Sequence, residues 1–505
     1  MPTGTDEIII QIDRFTGLNI NEAPNAIADT ELADCINLDL AEGGELIKRT
    51  GFRTVHDDVV DGGADLTTIV QLLGFFLTST VQQFVGSANG KLYTSPDSVT
   101  WTDQGAIAGV VHYGVQYVDR FYIVRTGSAT GLLEWTGTTL TAITGSPDGT
   151  FCRVFKDRLF VLNSLSTTLS SRLYFSEPFD FSPTGWPATN FIDVGAGDGD
   201  WLVACWNIQD TLIVFKTGAS WRLYVQGDPT LWILRSFNSE IGCISRHGLS
   251  VLENMLYFCG IKGAYITDGN TIRNISVQVS PVFEDVVVST ATINRTSSFI
   301  WDDKFVVSLE TFPITPTWNE WSTVTWGSLL TTPWTGGNSK ITYLVFHIRQ
   351  KGWTTWSPIP GLAPHVFVSV LLSSTLKGVY SGDRVAVGKV YKYGEPRYSD
   401  DAASYGVTIE TKEFDFGAAT EMKRGKWMGI NQRGDGFHLY THITDGISRT
   451  PLISFTNSTP LELKFSGPGY FRSWRMQVLS ASANPFTFFG ITMHLHRRRY
   501  LAAHR

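Results

Sequence analysis

The sequence predicts an all-β protein: a β-propeller-like central domain joined to a β-sandwich or platform domain built from the N- and C-terminal segments. Three observations point there. Apolar segments are mostly 5–8 residues long, rich in Val, Ile, Phe, Tyr, Trp and Thr, and bounded by Gly, Asp, Asn or Pro, which are strand signals at close spacing. They recur as a loose unit, an apolar strand, a polar turn and a second apolar strand, followed by an aromatic segment. The repeated strands are apolar on both faces, as sheets packed between sheets must be. A pair of packed sheets is the alternative for this region.

Taken in order, the chain divides into an N-terminal arm and platform strand (1–65), a propeller-like domain (66–400) and a C-terminal domain (405–505). In the arm, EIIIQID (7–13) reads as a strand that could complete the C-terminal sandwich. Residues 29–36 read as a short helix, with Asp29 or Thr30 as N-cap and Leu32, Cys35 and Ile36 along one side. The repeat then runs through QYVDRFYIVR (116–125), RVFKDRLFVLN (153–163), WNIQDTLIVFK (206–216), VLENMLYFCG (251–260) and IWDDKFVVSL (300–309). GKLYTSPDSVTWTDQG (90–105) reads as the second half of an earlier unit, and VYSGDRVAVGKVYKYG (379–394) as the last. The turn acids Asp119, Asp157, Asp210 and Asp303 fall at irregular steps of about one propeller blade, ~40–50 residues. Two insertions interrupt the pattern, a Pro- and aromatic-rich loop at 176–191 and a Trp- and Pro-rich stretch at 311–338.

The C-terminal region has a different texture. VTIETKEFDFG (407–417) alternates like an exposed strand. KWMGINQRGDGFHLYTHITDG (426–446) reads as a hairpin turning at Arg433-Gly434-Asp435-Gly436. YFRSWRMQVLSA (470–481) and FTFFGITMHLHRR (486–498) read as closing strands.

The bulk composition narrows the function classes. Charged residues are 17% of the 505, below the usual ~25%, while Trp (16) and Phe (31) are plentiful. That balance suits either a large β core or surfaces covered by partners. Charge is uneven: residues 1–65 hold fourteen acids against four Lys/Arg, whereas HLHRRRYLAAHR at the C-terminus has four Arg, three His and no acid. Such polarity suggests docking to charged neighbours. The five dispersed cysteines argue against a disulfide framework or zinc knuckle, and Cys205 and Cys259, in apolar strand-like runs, read as buried thiols. With no secretory leader visible and no apolar run near ~18 residues, synthesis and assembly in a reducing cytoplasm are expected, without membrane insertion.

Catalytic signals are weak. SPDSVTW (95–101) resembles the Asp-box turn of sialidase-type propellers, though one residue short and lacking its glycine. Such a turn is a structural lock. A glycosidase needs two carboxylates across a cleft. The acidic turns Asp198/Asp200, Asp302-Asp303 and Asp400-Asp401 read as solvated loops. GSANGK (86–91) is too short for a phosphate loop and is followed by Leu92. His494 and His496 share a strand face but lack a third ligand in sequence. No enzyme activity, cofactor or metal is expected. Arg497, Arg498 and Arg499 are candidates for contact with phosphates or with acidic partner surfaces.

A set of residues near the N-terminus carries a resemblance. Phe15-Thr16-Gly17-Leu18-Asn19, then Ala33-Asp34 with Asn37-Leu38-Asp39-Leu40, then Gly44, Leu46, Arg49, Gly51 and Phe52 form a spaced signature. It resembles the head of the tail nozzle, or tail hub, proteins of short-tailed podovirus-type phages (tail tubular protein B-like, the packaged-DNA stabilisation group). MKRGKWMGI and GYFRSWRMQVLSASANPFTFFGITMHL near the C-terminus are similar to the ending of that group. The resemblance implies a propeller plus a platform made by both chain ends, in a virion, assembled in the host cytoplasm. It implies a homo-oligomer, six copies around an axis, below a portal-adaptor, beside tail fibres or tailspikes, with duplex DNA retained and then passed. On that reading Leu32 and Ile36 would be apolar anchors of an acidic docking arm containing Asp34 and Asn37, with Arg49 fixing the turn behind it. A glycosidase or lectin propeller acting on host-surface glycans, and another tail component such as a stopper or baseplate hub, are the alternatives.

Overall fold

The structure, a computed structural model, describes residues 7–57, 70–128, 130–166, 168–284, 286, 296–311, 340–359, 364–371, 373, 376–383, 388–416, 423–434, 438–443, 450–454, 461–466, 470–480 and 483–497. Among the described residues strands dominate, and they build seven four-stranded antiparallel blades followed by a two-sheet platform.

Blades one to five are sequential runs: 71–106, 110–143, 151–193, 202–238 and 249–274. The sixth begins with Ser297–Trp301, Lys304–Thr311, Lys340–His347 and Gly352–Trp356. The seventh takes three strands from 364–393 and its fourth, Arg53–Asp57, from ahead of the first blade. Sequence had grouped that strand with the N-terminal arm; it instead closes the propeller. The first strand of the seventh blade, Pro364–Val370, lies against that of the first, Gln71–Leu77, which completes the circle.

The second strands of blades three, four and five are almost wholly buried. Arg158–Leu162 has no half-exposed position, and Thr211–Lys216 and Met255–Gly260 have one each. This is why they read as continuous apolar runs: each blade packs on a neighbour on both faces. Phe299, Val306 and Trp356 of blade six meet Val379, Tyr391 and Tyr393 of blade seven in one cluster. Each fully buried side chain of this size contributes roughly 1.5–3 kcal/mol over leaving it in water. The tight turns within blades use left-handed pairs: Asn89-Gly90, Lys156-Asp157, Glu253-Asn254 and Asp302-Asp303 all have positive φ. That geometry matches the twist of antiparallel strands and favours Asn, Asp and Gly. The acids at these turns were therefore a backbone signal.

The platform is a sandwich. One sheet contains Glu7–Ile12, Leu38–Leu40, Leu46–Lys48, Lys423–Gly434, Leu461–Ser466, Tyr470–Phe471 and Phe486–Arg497. Glu7–Ile12 runs antiparallel along Ile491–His496, so the two chain ends are woven together as expected from sequence. The other sheet is an extension of blade six. Glu31–Ile36 meets Gly352–Trp356 in parallel at Ile36 and Thr355, then pairs antiparallel with Val407–Thr411, which pairs with Trp474–Ser480. Ten strands thus run from the propeller axis out through the platform.

Two expectations are corrected here. Residues 31–36 form a strand, not a helix, because they fill a slot between two existing strands whose ladder bonds outweigh local preference. Residues 426–446 are not a hairpin: Lys423–Gly434 and His438–Ile443 belong to opposite sheets and the chain crosses between them. The insertion at 176–191 is an ordered loop containing a short 3-10 turn, Pro183–Gly185, before Phe191–Asp193. The insertion at 311–338 lies outside the described residues beyond Thr311, as do Arg498 and Arg499.

Candidate functional site: the joint between propeller and platform

Four of the signature residues, Asn37, Arg49, Gly51 and Phe52, meet at one buried joint. Arg49 follows the strand Leu46–Lys48, and its side chain is fully buried. Its guanidinium makes a two-pronged ion pair with Asp400, at 2.9 Å to Oδ1 and 2.6 Å to Oδ2. Its Nε donates to Asn37 Oδ1 at 2.8 Å, and its remaining reach goes to the Thr50 carbonyl at 2.9 Å. The ring of Tyr405 stacks 3.9 Å under the guanidinium, and its hydroxyl donates to the Arg49 carbonyl. Burial pushes the guanidinium's pKa down, but the charge and hydrogen bonds of Asp400 outweigh it, and the net direction is up.

Every partner is itself held. Asn37, in a left-handed conformation with φ 60°, donates to the Gly406 carbonyl at 2.6 Å and accepts from Ser357 N at 2.8 Å. Asp400 accepts from Phe52 N at 3.0 Å. Gly51 lies so close to the chain at Ser399 that a Cβ would sit 1.9 Å from its carbonyl oxygen. One cluster therefore ties together residues 37, 49–52, 357 and 400–406, which come from platform, blade six and the segment after blade seven.

Beside it is a charged cleft of about 310 Å³. Lys304 reaches Asp39 at 3.0 Å, and Asp39 also accepts from Trp356 Nε1 at 3.0 Å. Burial opposes the Lys304 charge, yet Tyr393 and Asp39 more than offset it, and its pKa is raised. His347, in the same wall, is pushed down to about 4, chiefly by burial. Arg349 bridges Glu42 at 2.7 Å and Asp303 at 2.8 Å at the rim.

A cavity of about 80 Å³ is lined by Leu72, Tyr113 and Phe367 of the blades' first strands and by Arg246 and His247 from the turn just before the fifth blade. At ~30 Å³ per water it has room for a few waters. No carboxylate is among its lining residues. His112 beside it is pushed down to about 3 by burial and by Arg246, and His247 well below its usual value for the same reasons.

The remaining sequence-marked positions separate. Leu32 is fully buried in the core shared by platform and blade six, so it cannot serve as an anchor for a partner; Asn37 and Arg49 are likewise internal. Ile36 and Asp34 are half-buried in the same strand. Arg497 pairs through its backbone with Lys423. Asp400 is not a solvated loop acid, since its ion pair removes it from water entirely. Asp198 and Asp200 serve Lys216 and its turn: Lys216 Nζ lies 2.7 Å from both Asp198 oxygens and 2.9 Å from the Gly195 carbonyl, while Asp200 accepts from Gly218 N at 2.9 Å. The near Asp-box is a lock: Asp97 Oδ1 accepts from Val99 N at 2.9 Å and Thr100 N at 2.8 Å. His494 stacks on Trp427 and bonds Glu7 at 3.2 Å, fastening the first strand to the last. All five cysteines are buried thiols, and among the described residues no group of three or more His, Cys, Asp or Glu is arranged to hold a metal. No described helix is long and apolar enough to cross a membrane.

No protein-family profile matches the chain, and no curated protein matches it. Solved structures that align with it include the AfRom2 CNH domain (9% identity, TM-score 0.37, 70% of this chain and 99% of that chain). The Neurospora crassa Pan2 WD40 domain aligns at 7% identity and a TM-score of 0.39, over 70% of this chain and 98% of that one. An exo-beta-1,3-galactanase from Phanerochaete chrysosporium aligns at 10% identity and 0.27, over 84% and 96%. At these scores none of the likenesses bears on function.

Proposed function

We propose that this chain is a structural virion protein, the tail nozzle subunit of a short-tailed double-stranded DNA phage. Several copies, six on the resemblance, would ring an axis below a portal-adaptor, carry tail fibres or tailspikes, retain packaged DNA and pass it at ejection. The observation that carries this reading is the joint. The residues of the nozzle-like signature, Asn37, Arg49, Gly51 and Phe52, are the ones that lock platform to propeller into one stiff piece. A conduit segment needs that stiffness and no turnover chemistry.

Purified full-length protein, viewed by negative-stain electron microscopy, is expected to form rings with a central hole, and to join a capsid vertex complex when mixed with the adaptor. A strictly monomeric chain that hydrolyses glycans would overturn the proposal. The propeller-glycosidase alternative needs two carboxylates across a cleft; the 80 Å³ cavity lining supplies none, and in the 310 Å³ cleft Asp39, Glu42 and Asp303 are tied up in ion pairs with Lys304 and Arg349.

A further inference from the structure

The first platform sheet has two open edges. One edge is formed by Glu7–Ile12, paired along Ile491–His496 (past its end, at Thr487 and Phe488, the same side continues through Leu46–Lys48 to Leu38–Leu40); the other is Leu461–Ser466, paired along Trp427–Gln432. Among the described residues neither strand has a ladder partner on its outer side. Both are six residues long.

Glu7–Ile12 lacks the devices that keep sheet edges apart. It has no Pro, no Lys and no bulge in its register, and its sequence is EIIIQI. Its residues alternate, with Ile8 and Ile10 packed on the core and Ile9 56% exposed. Such an edge in water is a template for another strand.

We propose that its occupant is Leu461–Ser466 of a second copy, so that the sheet continues from subunit to subunit around the ring. This rests on the ring reading above and names the elements that would join it. Three features of the sheet favour that occupant. First, strand directions alternate across the sheet, so Glu7–Ile12 and Leu461–Ser466 run opposite ways. A neighbour laid alongside in the same orientation therefore presents its edge antiparallel. Second, the faces match. Leu463 holds the register position opposite Ile430 and Phe465 that opposite Met428, both fully buried. With the two strands in full overlap, Ile10 falls opposite Leu463 and Ile8 opposite Phe465, while Ile9 falls opposite Lys464. The apolar layer would then run unbroken between copies. Third, joining one edge to the opposite edge is a head-to-tail contact, which generates rings, whereas pairing an edge with itself stops at a dimer.

The test uses full-length chains carrying Ile9→Cys or Lys464→Cys, against a background of native cysteines that are all buried. Mixing the two under mild oxidation is expected to give a disulfide-linked pair, and the double variant a ladder ending at the ring number. Ile9→Lys is expected to shift the assembly to monomer with its near-ultraviolet circular dichroism unchanged. Cross-linking of the Ile9→Cys chain with itself would overturn the head-to-tail contact. Rings seen by microscopy without any 9–464 cross-link would overturn this interface and leave the nozzle reading standing. Absence of any oligomer would overturn both.

Discussion

Arg49 and Asp400 stand 351 positions apart in the chain and face each other as a two-pronged, fully buried ion pair. Removing one member leaves the other charge buried and unpaired, at a cost of about 3–5 kcal/mol. Arg49→Met and Asp400→Leu are each expected to lower stability by that order in urea denaturation, and the double variant by less than the sum. Arg49→Lys is expected to fall between, because a point ammonium cannot reproduce the fork. Additive losses would show that the pair is not coupled.

Gly51→Ala tests the same joint without touching a charge. The new methyl meets the Ser399 carbonyl at 1.9 Å, so backbone must move. A loss of about 1–3 kcal/mol is expected, with proteolysis near 399–406 appearing before the blades open.

Lys216 fills a shell of oxygens from Gly195, Asp198 and Ser171. Lys216→Met is expected to cost about 1–3 kcal/mol through the unmade hydrogen bonds. Burial opposes the Asp198 charge, but the bonds from Lys216 and from Asp200 N outweigh it and hold its pKa below the usual value. A carboxyl held down in the folded state stabilises above its unfolded pKa, and that contribution is lost as pH falls through the folded one. The variant should lack this acid-end loss, read as a smaller drop in urea midpoint below pH 4.

Buried imidazoles give a second, milder acid sensitivity of opposite origin. His347 is pushed to about 4 and His112 to about 3, so both stay neutral in the folded protein while the unfolded chain protonates near 6.5. Folding then weakens as pH falls from about 6.5 toward those values, by on the order of 2 kcal/mol per group at pH 5. His347→Gln should flatten part of that slope between pH 7 and 5, measured by denaturant midpoint.

The blades were legible because their signals are local. A run such as RLFVL is apolar throughout and is bounded by Lys156-Asp157, whose left-handed pair is itself a turn signature. The joint was only half legible. Gly44, Leu46, Arg49, Gly51 and Phe52 stand out as part of a spaced signature, but nothing near Asp400 in sequence says that its carboxylate is sealed against Arg49. Asp29, Thr30 and the apolar spacing of Leu32, Cys35 and Ile36 imitate a capped helix; only the slot between Gly352–Trp356 and Val407–Thr411 decides for a strand. The stretch Arg433-Gly434-Asp435-Gly436 likewise carries no sign of which sheet each flanking strand joins.

The placement of Arg53–Asp57 and Glu7–Ile12 has a consequence for how the molecule is made. The first waits on Lys389–Tyr393 and the second on Ile491–His496. At roughly 5–20 residues per second, translation takes on the order of half a minute to a minute and a half to deliver the later partner. Throughout that interval a segment with three successive isoleucines hangs from the ribosome without its mate. Early-finished blades can pack while the two ends remain apart. A chaperone with an appetite for extended apolar stretches, or a neighbouring nascent chain on the same message, has its opening there, and a stalled or shortened product is the version most prone to clump.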